Sequence, residues 1–141
     1  MSTLERAIEL AAKAHAGQVD KAGAPYILHP LRLMLGVRTP EQRMAAVLHD
    51  IVEDTPVTFE DLEREGFAPE VVAAVRALTK TEGETRLDAA RRAAADPIAR
   101  VVKLADVTDN MDLSRIPDPT QKDFDRLKEY EQVRALLLGA G

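Results

Sequence analysis

Ala46-Val-Leu-His-Asp-Ile-Val-Glu-Asp-Thr55 decides how the rest of the chain is read. Starting from Met44, apolar side chains recur at Val47, Leu48 and Ile51, the three-and-four spacing of one face of an α-helix. Near the end of that stripe stand an imidazole and a carboxylate, His49 and Asp50, followed by two more acids, Glu53 and Asp54. Pro56 disfavours helix at Thr55, so a helix is expected over 40–53. On a continuous helix Glu53 lies one turn from His49, and Asp54 one turn from Asp50. Acids are unfavourable at the negative end of a helix dipole. A neighbouring cation or a chemical task answers that better than a merely solvated helix end.

Working outward, other stripes share the helical spacing: Leu4, Ala7, Ile8, Ala11 and His15; Leu31, Met34 and Leu35; Val71, Val75 and Leu78; Ile98, Val101, Val102 and Ala105; Phe124, Leu127, Tyr130, Val133 and Leu137. Ser2-Thr-Leu-Glu5, Thr39-Pro-Glu-Gln42 and Thr58-Phe-Glu-Asp61 resemble capping boxes. Pro30, Pro40, Pro69, Pro97 and Pro119 suit first helical positions, where the missing N–H is no loss. Gly17, Gly66 and Gly139 suit helix ends. No useful stretch alternates with period two. The expectation is an all-α, single-domain helical bundle covering residues 1–141, with helices near 3–16, 30–37, 40–53, 58–65, 69–80, 85–95, 97–114 and 120–138. Two looser stretches, 17–28 and 115–120, are too short to link domains.

Composition narrows the function. The chain has 141 residues and no cysteine, which excludes disulfides, thiol catalysis and zinc–cysteine sites. Alanine accounts for 22 residues and aromatics for only 4%, a balance that favours packed helices over sheet. The net charge of −5 argues against a nucleic-acid partner. No apolar run is long enough for a membrane span, and no signal peptide is read at the start, so the cytoplasm is the expected compartment. Gly-x-Ser-x-Gly and phosphate-loop motifs are absent, and serine occurs only at 2 and 114, which leaves Ser-His-Asp catalysis unsupported.

The chemistry-bearing groups fall in a definite order: His29 before Pro30, the pair His49-Asp50, and Asp106 inside the apolar run Val101-Val-Lys-Leu-Ala-Asp106. Taken singly, His29 could cap a helix and Asp106 could pair with Lys103. Taken together, two imidazoles and two carboxylates form a donor set for a divalent ion such as Mn, Fe, Co, Zn or Mg. Lys103, Asp106 and Asn110 share one helix face. Asn110 can bind a ribose hydroxyl or phosphate oxygen, or bond within the bundle. His15 reads as a hydrogen-bonded core histidine that props the 17–28 loop. Tyr26 reads as a pocket wall or core residue.

The order His, His-Asp, Asp resembles the HD superfamily of metal-dependent phosphohydrolases. His15-Ala-Gly-Gln18 and Lys21-Ala-Gly-Ala-Pro-Tyr-Ile-Leu-His-Pro30 resemble the opening of RelA/SpoT-type hydrolase domains and their small stand-alone relatives. Residues 46–55 are similar to the family's extended signature, and Lys103-Leu-Ala-Asp106 with Asn110-Met111 to its third motif. The resemblance implies metal ligands His29, His49, Asp50 and Asp106, with manganese the usual ion. It implies Glu53 and Asp54 as the pair that positions or deprotonates water, and Lys21, Tyr26, Lys103 and Asn110 as substrate contacts. The implied reaction is release of the 3′-pyrophosphate from guanosine tetra- or pentaphosphate, a small nucleotide substrate.

The chain departs from that pattern in one direction. Asp20, Val107, Asp109 and Asp112 stand where the family carries arginine, arginine, histidine and arginine. The metal set is kept while basic groups around it are lost, which opens a phosphohydrolase for a less anionic nucleotide or metabolite, or a catalytically silent sensing domain, as alternatives. The remaining cations that could meet phosphate are Lys21, Lys80, Arg86, Arg91, Arg92 and Lys103.

Overall fold

The computed structural model describes residues 1–139. Among them lie nine α-helices: α1 (Leu4–Ala14), α2 (Leu28–Leu35), α3 (Pro40–Leu48), α4 (Ile51–Asp54), α5 (Phe59–Arg64), α6 (Pro69–Leu78), α7 (Arg86–Ala94), α8 (Pro97–Asn110) and α9 (Gln121–Gly139). A single 3-10 turn spans Leu113–Arg115. No strand is present among the described residues, only an isolated antiparallel bridge between Val19 and Pro25. The all-α bundle expected from the stripes is what the chain forms.

Local chemistry sets the helix starts. Thr39 and Thr58 close capping boxes with Gln42 and Asp61, and Thr85 closes a third with Asp88. Each such cap is worth about 1 kcal/mol. At the first helix the cap is Thr3, whose side chain accepts from the Arg6 N–H, and not Ser2. Pro40, Pro69 and Pro97 take first positions as expected. Pro30 lies two residues inside α2, still within the first turn where its missing N–H is harmless. Pro119 precedes α9, and Thr120 makes the turn instead, its N–H donating to the Asp123 carboxylate.

The expected helix over 40–53 is interrupted at His49–Asp50. His49 still has helical angles, but its N–H reaches back only to Ala46, and Asp50 sits at φ −105°, ψ 2°. α4 then ends at Asp54 with Thr55 extended, the effect expected of Pro56. The expected helix 97–114 likewise ends at Asn110, and only the 3-10 turn continues it.

α3 is the central element. It packs on α1, α2, α6 and α8, and Met44 through Leu48 are all buried. One side (Met44, Val47, Leu48) joins Ile51, Leu62, Phe67, Val71 and Val75. The other (Ala45, Ala46) meets Leu33, Ala74, Ala93, Ala99 and Val102. Small side chains in the second cluster let the helices approach closely. A third cluster docks α9 through Val133 and Leu137 on Ala90 and Val107.

Two stripes differ from expectation. On α2 it is Leu33 that is buried, while Leu35 is 75% exposed; the helix begins at Leu28, and the face it turns to the bundle is His29 and Leu33, one turn apart. On α9 Phe124 lies outside the core, since α9 docks through its C-terminal half.

The 17–28 stretch is an ordered turn. Asp20 Oδ1 accepts from the N–H groups of Ala22 and Ala24. Gly17 and Gly23 supply the left-handed φ values, 86° and 85°, that only glycine adopts freely.

Candidate metal centre

The packing that buries alanine also gathers the polar groups. At the C-terminal cap of α3, His49 lies one turn beyond Ala45, on the face turned to α2 and α8. On α8, Asp106 continues the line of Ala99 and Val102. On α2, His29 lies one turn before Leu33. All three are buried, and together they offer donor atoms within 4.8 Å of one another.

His29 Nε2 is 2.9 Å from Asp106 Oδ1, and His49 Nε2 is 3.7 Å from the same oxygen and 2.9 Å from Asp50 Oδ2. Asp50 also stands with Glu53 and Asp54 in a second group of clustered donors. His49 Nδ1 lies 2.8 Å from the Ala46 carbonyl and donates to it, so Nε2 is the nitrogen that faces the carboxylates. That atom is buried with no hydrogen-bond partner, although two carboxylates stand close to it. A buried imidazole nitrogen converging with carboxylate oxygens is an arrangement that a cation suits, and the donor set fits a divalent ion with mixed N and O ligands.

The charges agree. Burial alone would raise the Asp106 carboxyl, but the His29 hydrogen bond and Lys103 hold it well below the usual carboxylate range. For His29 burial opposes the charged form; hydrogen bonds to Asp106 and Asp109 outweigh it and lift the imidazole to about 9. A metal at Nε2 takes the place of that proton, so binding there is linked to proton release. Asp54 is pushed up by burial and by the neighbouring carboxylates of Asp50 and Glu53.

A cavity of about 200 Å³ opens over this cluster, its wall formed in part by Glu53, Asp54, Lys80, Arg86 and Lys103. Glu53 is exposed to it and accepts from the Lys80 N–H at 2.8 Å. The proposed substrate contacts are placed in two ways. Tyr26, Lys103 and Asn110 line the cavity, and all three also hold the acids: the Tyr26 hydroxyl donates to Asp50, Lys103 Nζ to Asp106 Oδ2 at 3.3 Å, and Asn110 Nδ2 to Asp106 Oδ1 at 3.1 Å. Lys21 lies outside it, in an adjoining pocket that shares Tyr26, His29 and Asn110. His15 bonds Gln18, which donates to the Asp54 carbonyl, so it braces the loop as its sequence position suggested.

Of the other cations, Arg91 pairs with Asp88 away from the cavity. Arg92 clamps the end of α6 through the carbonyls of Arg76, Ala77 and Thr79, and pairs with Glu84. Sequence reasoning missed Arg32 and Arg115, which meet Asp109 beside His29. The signal for Arg32 was its place one turn after His29.

Comparison with known proteins gives a consistent picture. The family described as HD domain matches residues 7–137. A protein of Mycobacterium leprae named probable GTP pyrophosphokinase is 37% identical over 151 residues, covering 97% of this chain and 19% of the relative. A guanosine-3′,5′-bis(diphosphate) 3′-pyrophosphohydrolase of Aquifex aeolicus is 34% identical over 120 residues, covering 77% of this chain and 17% of the relative. The chain thus spans about a fifth or less of the curated relatives it matches. A solved structure of a metazoan ortholog of SpoT, described as hydrolysing ppGpp, superposes with a TM-score of 0.81 at 28% identity, covering 98% of this chain and 86% of that one.

Proposed function

The chain belongs to the HD-domain family, and from that premise we propose that it is a metal-dependent phosphohydrolase that releases the 3′-pyrophosphate of guanosine tetra- or pentaphosphate. HD domains bind divalent metals, and this chain presents the His29, His49, Asp106 group for one. The observation that carries the proposal is the convergence of those three with Asp50 beneath a cavity that also holds Glu53, Asp54 and three cations. Relatives named for this reaction support the substrate.

When bound, a divalent ion eases the ionisation of water and polarises a phosphoryl oxygen; manganese suits the mixed imidazole and carboxylate donors. His29, His49, Asp50 and Asp106 hold it. Glu53 and Asp54 orient the attacking water and take its proton, and burial with the neighbouring carboxylates raises Asp54, which makes it a stronger proton acceptor than a free carboxylate. Water adds to the phosphorus attached to the ribose 3′ oxygen, that P–O bond breaks, and from the tetraphosphate the products are GDP and pyrophosphate. Lys80, Arg86 and Lys103 line the cavity and meet phosphate oxygens, with Lys21 serving from the adjoining pocket. Residues 1–141 act as one hydrolase unit in this proposal, and the cytoplasm, with its nucleotide pools, is its setting.

A second reading, a less anionic phosphorylated substrate, has its own support: Asp20 and Asp112 border the adjoining pocket with Lys21, Arg32 and Arg115, and both arginines are already paired with Asp109. A manganese-loaded screen of guanosine tetraphosphate, 3′- and 5′-nucleotides, NADPH and simple phosphomonoesters separates the two. Pyrophosphate release from the tetraphosphate at the highest kcat/KM is expected. Faster turnover of a less charged compound would replace this substrate, and metal binding with no turnover of any of them would leave only a sensing domain.

A further inference from the structure

Asp109 stands where the family's motif carries histidine, and by charge alone it removes a basic group from the site. Its contacts give it a different part. Its Oδ2 lies 2.7 Å from His29 Nδ1. Arg32 grips the same carboxylate with two bonds, Nε to Oδ1 at 2.8 Å and Nη2 to Oδ2 at 3.0 Å. Arg115 donates to the Asp109 carbonyl at 2.8 Å and stands 3.3 Å from Oδ1. The carboxylate is therefore ionised and bound from α2 and from the 3-10 turn, with only 12% of its side chain exposed.

An ionised carboxylate can only accept, so His29 Nδ1 carries a proton that stays when a metal displaces the one at Nε2. That leaves Nε2 to face Asp106 and His49. His29 and Arg32 lie three residues apart on α2, so the bidentate Arg32–Asp109 pair fixes the carboxylate relative to the helix that carries the imidazole. We propose that Asp109, locked by Arg32 and Arg115, is a positioning residue that sets the tautomer and ring orientation of His29 for metal binding. This rests on the metal-centre reading above. Partners of this kind behind a ligating histidine typically account for about 10–100-fold in metal affinity.

The same geometry argues against restoring the family's arginine at 20 and histidine at 109 as a route to faster hydrolysis of guanosine tetraphosphate. Asp20 shapes the 20–24 turn, and a histidine at 109 cannot satisfy Arg32.

Calorimetric titration with manganese tests the proposal on the intact chain, with thermal unfolding to verify each variant. Wild type binds, and His29→Ala abolishes binding. Asp109→Ala is expected to weaken manganese affinity by about 10–100-fold, and Asp109→Asn, which keeps an acceptor for Nδ1, to recover part of it. Arg91→Ala removes an exposed charge that pairs with Asp88 away from the cavity and leaves affinity unchanged. In zinc-loaded, nitrogen-15-labelled protein, the slowly exchanging Nδ1–H signal of His29 disappears in Asp109→Ala. If Asp109→Ala does not fold, Asp109→Leu, close in volume and without an acceptor, makes the same test. Unchanged affinity and an unchanged Nδ1–H signal in a folded variant overturn the positioning role alone. If wild type fails to bind, or His29→Ala binds equally well, the metal-centre reading fails and the proposal with it.

Discussion

Glu53 and Asp54 cluster with the proposed ligand Asp50, yet their bonding differs from its own. Asp50 is tied to His49 and Tyr26, whereas Glu53 is held only through the Lys80 backbone N–H and faces the cavity. Removing the charge of Glu53 should therefore leave the metal in place. Glu53→Gln is expected to bind manganese with affinity within about twofold of wild type and to lose about 10²–10⁴-fold in kcat, the usual contribution of a general base. Full activity in that variant would remove Glu53 from the mechanism. The histidines and acids gathered at this centre were legible in the sequence, because titratable groups inside apolar stripes are conspicuous. Their second contacts were not. That Asn110 and Lys103 bond Asp106, or that Asp109 bonds His29 across 80 positions, depends on how α8 lies against α2, which no periodicity encodes.

At the scale of elements, the helical spacing placed most helices, and the exceptions have local causes. The interruption at His49–Asp50 is invisible to a hydrophobic pattern, since Ile51 continues the stripe through it and stays buried. On α2 the Leu31, Met34, Leu35 stripe competes with His29 and Leu33, and burial of the imidazole at the site decides the face. α3 is buried on both sides because helices cover both, which a one-sided stripe understated. These differences predict unequal mutational costs. Leu48→Ala, at a fully buried position, is expected to lower unfolding free energy by about 2–5 kcal/mol. Leu35→Ala, on the exposed face, should cost under about 0.5 kcal/mol. Denaturant unfolding of both variants checks the pair; equal costs would contradict the assigned face of α2.

For the molecule as a whole, alanine-rich packing between α3, α6, α7 and α8 carries the site. It brings α2, α3 and α8 close enough for side chains from three separate helices to share one point. No helix among the described residues is long and apolar enough to cross a membrane. The central claim is that His29, His49, Asp50 and Asp106 hold one divalent ion. Anomalous diffraction at the manganese edge, from crystals of the intact chain soaked in manganese, tests it directly. The predicted result is a single strong peak within coordination distance of His29 Nε2, His49 Nε2 and carboxylate oxygens of Asp50 and Asp106. A peak elsewhere with these four side chains unligated, or no peak at saturating manganese, would contradict it.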